Sequence, residues 1–112
     1  MESLVIENNS LAICVDKHKY ELPLKVKSVI DFDNEIAILT EPNDQRFHTR
    51  FSSSQTCNLF VFSKQSHQIL WTYNDVLFIE KRSIDDIIVT ILDFEIKINI
   101  HTGKEVFSRE IR

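Results

Sequence analysis

The sequence predicts an all-β fold in which two four-stranded antiparallel meanders pack face to face as a small sandwich. Three observations lead there. The apolar runs are short, rich in β-branched and aromatic residues, and bounded by Asn, Asp, Ser or His turns, which is a strand pattern. Ile96-Lys97-Ile98-Asn99-Ile100 alternates apolar and polar residues, as a strand with one wet face must. A strand-turn-strand unit also recurs three times along the chain, so one supersecondary motif is being reused. At 112 residues and 43% hydrophobic content the chain has material for one core, and residues 1–112 are expected to form a single domain.

The first unit is Leu11-Ala12-Ile13-Cys14-Val15 running through Asp16-Lys17 to His18-Lys19-Tyr20-Glu21-Leu22. It matches Leu59-Phe60-Val61-Phe62 through His67 to Ile69-Leu70-Trp71, and again Glu95-Ile96-Lys97-Ile98 through Gly103 to Val106-Phe107. Laid over one another, Ile13, Phe60 and Ile96 correspond, as do Val15, Phe62 and Ile98. Leu59-Phe60-Val61-Phe62 does not alternate, and a continuous apolar run of this kind predicts a strand covered on both faces. A second type of hairpin precedes the later two units, Val29 to Leu39 with its turn at Asp33-Asn34 and Lys81 to Ile91 with its turn at Asp85-Asp86. Together they define a repeat of about 26–73 and 76–109, preceded by an N-terminal pair of strands. Ser83 to Leu92 also carries apolar residues at helical spacing after a Ser…Asp start. The crowding of Ile87, Ile88, Val89, Thr90 and Ile91 favours a pleated strand there instead. The first repeat alone holds an insertion, loop 41–57, and insertions of this kind mark either a functional loop or a mobile surface excursion.

The stretch Phe62 to Trp71 and the stretch His101-Thr102-Gly103-Lys104-Glu105-Val106-Phe107 resemble the Thr-Gly-Lys-type hairpin and Trp-ending strand of quinoprotein-like β-propeller blades. The resemblance covers residues 26 to 112. A propeller needs at least about four blades to close, and two fit in this length. The resemblance therefore implies two blade-like antiparallel β-meander sheets packed as a small sandwich.

Catalytic chemistry finds little footing. The four histidines have no metal-ligand spacing, and Cys14 and Cys57 are read as free thiols without neighbouring ligands. His18, His67 and His101 fall at or near turns and are expected to be solvated turn residues. With one glycine there is no phosphate-cradling loop, and Ser52, Ser53 and Ser54 sit in no nucleophile-elbow setting. The expectation is a non-enzyme without cofactor or metal. The N-terminus shows no secretory pattern and no apolar run approaches a membrane span, so a soluble cytoplasmic protein without membrane contact is expected.

Charge placement is more informative. Ser28 to Gln45 holds Asp31, Asp33, Glu35, Glu41 and Asp44, and Ser83 to Ile96 holds Asp85, Asp86, Asp93 and Glu95, with no Lys or Arg in either stretch. The total is −4, so the remainder carries +5. An acidic balance argues against direct nucleic-acid binding and for attraction to a cationic partner. The repeat puts the Asp33 and Asp85 turns at equivalent positions, so they are expected on neighbouring parts of one surface. Arg46, Phe47 and Tyr73, the last beside Asp75 at a turn, add residue types that interfaces favour, whereas Trp71 is expected in the core.

A small, acidic, motif-free β domain is similar in type to the immunity proteins of bacterial contact-dependent growth inhibition and related polymorphic toxin systems. That resemblance implies a cognate protein toxin as partner, a basic nuclease domain, with Asp31, Asp33, Glu35, Asp85 and Asp86 standing in for substrate phosphates. Glu41, Asp44, Arg46 and Phe47 would add loop contacts. Two other readings are a structural module that completes a larger propeller-like assembly through exposed sheet edges, and a carbohydrate-binding module stacking sugars on Tyr73, Phe47 and Phe51.

Overall fold

A computed structural model describes residues 4–7, 12–15, 18–41, 57–92 and 94–110. They form eleven strands: β1 (Leu4–Glu7), β2 (Ala12–Val15), β3 (His18–Glu21), β4 (Val26–Asp31), β5 (Glu35–Thr40), β6 (Cys57–Ser63), β7 (Ile69–Asn74), β8 (Val76–Lys81), β9 (Asp86–Ile91), β10 (Phe94–Asn99) and β11 (Glu105–Glu110). Every pairing is an antiparallel neighbour pairing, giving a first sheet β1-β2-β3, a central sheet β4-β5-β6-β7 and a last sheet β8-β9-β10-β11. The fold is all-β, and both four-stranded meanders are present. Residues 83–92 are a turn and a strand, as their β-branched crowding requires. The expected N-terminal pair gains a third strand, β1.

The sheets stack in three layers. Phe32, Ala37, Leu39, Leu59 and Val61 of the central sheet and its β4–β5 turn pack against Val76, Ile87, Val89, Ile96 and Ile98 of the last sheet. Ile36, Ile38, Phe60 and Phe62 on the opposite face pack against Ile13, Tyr20 and Leu22. The central sheet is therefore covered twice, which is why all six residues of β5 are buried and why the apolar run of β6 does not alternate. Each such buried aliphatic or Phe side chain contributes about 1.5–3 kcal/mol relative to exposure.

The central and last sheets follow the same register. In the central sheet Ile36 pairs with Phe62 and Ile38 with Phe60; in the last, Ile87 pairs with Ile98 and Val89 with Ile96. Both sheets carry a bulge just after the equivalent residues Val61 and Lys97. Ile13 departs from the expected alignment. It pairs with Tyr20 and faces the central sheet, as Val61 pairs with Trp71 and faces the last one. Val15 pairs directly with His18, whereas Phe62 reaches Ile69 across a longer turn and a bulge. A difference of one residue in register exchanges the two faces of a strand.

A buried asparagine fastens the central and last sheets. Asn58 Nδ2 donates to the Thr40 carbonyl at 3.3 Å and the Val76 carbonyl at 2.8 Å, while its Oδ1 accepts from the Val76 N–H at 2.9 Å. Asp75 alone links β7 to β8 and adopts φ 54°, a conformation that Asp tolerates better than most residues.

Candidate functional site

Because neighbouring strands run antiparallel, the turns β4–β5, β6–β7, β8–β9 and β10–β11 collect at one end of the stack. Each is shaped by its own sequence. In β4–β5 the Phe32 N–H donates to the Glu35 carbonyl at 2.9 Å, leaving Asp33 and Asn34 exposed at the tip. In β8–β9 Ser83 Oγ donates to Asp86 Oδ2 at 3.1 Å and accepts from the Asp85 N–H at 3.3 Å. In β10–β11 Asn99 Oδ1 accepts from the N–H groups of His101 and Thr102 at 2.9 and 3.1 Å, and Gly103 closes the turn at φ 77°. A Cβ at Gly103 would lie 2.7 Å from Trp71 Cγ, so glycine is required by both backbone and space. His67 takes the matching left-handed position in β6–β7, with φ 62°.

These turns are tied across the two sheets. The Trp71 indole N–H donates to the Ile100 carbonyl at 2.8 Å, and the Ile100 N–H donates to the Asp85 carbonyl at 2.8 Å. His101 then bridges the two acidic hairpins, its Nδ1 lying 2.6 Å from Glu35 Oε2 and its Nε2 2.7 Å from Asp85 Oδ1. The hydrogen bonds to Asp85 and Glu35 raise its pKa above the ordinary histidine value, against a smaller opposing effect of burial. Glu35 is buried, and its Oε1 has no hydrogen-bond partner among the described residues. Both ring nitrogens of His101 are thus engaged by carboxylates, one from each hairpin. His101 lies exposed in its turn, as expected, and in addition clamps the two hairpins together.

His18 and His67 lie beside their turns as expected, with His67 exposed. His18 and His67 stack at 3.7 Å between centroids, with Tyr20 edge-on to His18 at 4.7 Å, where the first and central sheets meet.

The two hairpins thus do occupy one end, and the residues that flank them partly neutralise the acids. Lys64 pairs with Asp31, Lys97 lies 4.0 Å from Asp86, and Lys81 Nζ donates to the Asp31 carbonyl at 3.4 Å while sitting 5.0 Å from the Phe32 ring centroid. Asp33 stands outside these pairs, exposed at the tip. No known protein-family model matches the chain, and no curated protein matches it in sequence.

Other expected contact residues lie elsewhere. Glu41 and Asp75 are exposed at the opposite end of the stack, where β5 ends and β7 joins β8. Asp44, Arg46, Phe47 and Phe51 lie outside the described residues. Tyr73 is half-buried against the core shared by the central and last sheets, and its hydroxyl donates to Glu105 Oε2 at 2.8 Å. Burial first, then that hydrogen bond, pushes its pKa up to about 12. Trp71 is half-buried against the same core. Cys14 and Cys57 form no disulfide. Among the described residues no group of three His, Cys, Asp or Glu side chains is placed to hold a metal ion, and no helix is long and apolar enough to cross a membrane.

Proposed function

We propose that the protein is a toxin-neutralising immunity protein that covers a cationic toxin domain, a nuclease, with the end of the stack where the acidic hairpins meet. The observation that supports this reading is the His101 clamp. It holds Glu35 and Asp85 on one side chain and so brings the Asp33 and Asp85 turns together on a preorganised surface. Asp33, Asp31 and Asp85 retain exposed carboxylate there. A rigid, partly desolvated carboxylate array competes well with phosphates for Lys and Arg, because little ordering is left to be done on binding.

The test is a pull-down from source lysate and culture material with the tagged chain at low and high salt, followed by identification of the captured proteins. A basic toxin domain should be recovered, and its capture should be lost with Asp33→Lys and kept with Asp75→Lys at the opposite end. A captured partner indifferent to Asp33→Lys and to ionic strength would sink the proposal.

A further inference from the structure

What the His101 bridge can hold depends on its protons. An imidazole ring carries one N–H when neutral and two when protonated, and an ionised carboxylate only accepts hydrogen bonds. His101 Nδ1 lies 2.6 Å from Glu35 Oε2 and Nε2 lies 2.7 Å from Asp85 Oδ1. Both contacts together therefore need two protons shared among the three groups. With one proton fewer, a ring nitrogen turns its lone pair toward a carboxylate oxygen at hydrogen-bond distance. That arrangement is repulsive, and the contact must open.

The two carboxylates are not equal candidates for release. Glu35 lies on β5 of the central sheet with a side chain 7% exposed, and its Oε1 has no hydrogen-bond partner among the described residues. Taking the ring N–H from it leaves a buried charge with no donor among them, which is the costlier outcome. Asp85 sits on the β8–β9 turn with a side chain 56% exposed, so water replaces the ring there. Its backbone is held independently of the ring. The Ile100 N–H donates to the Asp85 carbonyl at 2.8 Å, and the Asp85 N–H donates to Ser83 Oγ at 3.3 Å. The carboxylate can leave while the hairpin keeps its shape.

The other charged groups at this end are engaged elsewhere or stand in solvent. Asp31 of β4 pairs with Lys64 of the β6–β7 turn, Asp86 is held by Ser83 and Lys97, and His67 stacks on His18. Asp33 and Lys104 are exposed on their own turns. We infer that His101 is a proton-operated mask on Asp85: with two ring protons it ties the Asp85 carboxylate down, and with one it keeps Nδ1–H on Glu35 and frees that carboxylate into solvent. The cluster passes from a net charge of about −1 to about −2, while the tie between the central and last sheets through Glu35 persists. Because hydrogen bonds to Asp85 and Glu35 raise the pKa of His101, the mask is closed below about pH 6.5 and opens as pH rises through the folded value. For the cationic partner proposed above, rising pH offers one more free carboxylate; the mask itself stands without that partner, and its test uses the chain alone.

NMR on the isotope-labelled chain from about pH 5 to about pH 9 reads each proton. At the acid end both His101 ring nitrogens should be protonated; at the alkaline end Nδ1 should remain so and Nε2 should not. The Asp85 carboxyl carbon should move with the His101 midpoint, and the Glu35 carboxyl carbon far less. Asp85→Asn, at an exposed position, should weaken proton binding at His101 at least about threefold. In Glu35→Gln, which keeps the shape of the buried side chain, the preference should reverse, with the neutral ring protonated on Nε2 and Asp85 still bound. A neutral ring protonated on Nε2 in the unaltered chain overturns the proposal. So does a ring that keeps both protons to about pH 9, or an Asp85 carboxyl signal that ignores the His101 midpoint.

Discussion

Replacing His101 with alanine removes one side chain and strands two carboxylates of unequal standing. Asp85 is half exposed, so water takes over its lost hydrogen bond at little cost. Glu35 has a side chain only 7% exposed, and its second oxygen already lacks a partner among the described residues, so it is left as a buried charge with no donor among them. A hydrogen bond to a charged group is worth about 1.5–3 kcal/mol, and the partial exposure of His101 places the loss near the lower end, at about 2 kcal/mol. Urea unfolding followed by the fluorescence of Trp71, the single tryptophan, reads this directly. The pH dependence adds a second readout. The folded-state pKa of His101 is raised, so its contribution is complete below the unfolded value of about 6.5 and is lost as pH rises through the folded value. The gap between the parent protein and His101→Ala should therefore be widest near pH 6 and shrink toward alkaline pH. Adding Glu35→Gln should restore part of the loss, since the stranded charge is then gone. A gap under about 0.5 kcal/mol, or one that widens with rising pH, would refute the clamp.

Two further substitutions test how the stack is fastened. Gly103→Ala should cost more than the roughly 1 kcal/mol of an ordinary unsuitable Gly→Ala change, because its Cβ would press on Trp71 as well as strain φ; thermal unfolding should show a clear drop in midpoint. Asn58→Ala should cost about 2–4 kcal/mol, since it leaves the Val76 N–H and carbonyl unsatisfied in the interior, and a smaller loss in denaturant unfolding would mean that water replaces the amide.

What was legible in the sequence was legible because it is local. The β-branched crowding of residues 87–91 identified β9, the unbroken run at Leu59 to Phe62 identified a strand covered on both faces, and the Asp-Asn and Asp-Asp pairs marked their turns. What was missed depends on contacts far apart in the chain. The acidic stretches look unaccompanied because neither contains Lys or Arg, yet Lys64, Lys97 and His101 reach them from other turns and strands. Nothing in the spacing of His101 distinguishes a clamp from a turn residue; only the stacking of two sheets sets it between Glu35 and Asp85. The facing of Ile13 was misassigned for a related reason, since hairpin length and bulges, not the apolar pattern alone, decide which side of a strand looks inward.

The layered order of the sheets has a consequence for how the molecule comes apart. First and last sheets share no core cluster among the described residues, whereas β5 belongs to both, giving Ile36 and Ile38 to one and Ala37 and Leu39 to the other. Peeling away the first sheet bares one side of β5 and leaves the larger core standing. Losing β5 or β6 dissolves both cores at once. Cooperativity is thus lodged in the two strands that have no solvent side, and the outer layers are the parts of the chain free to open by themselves.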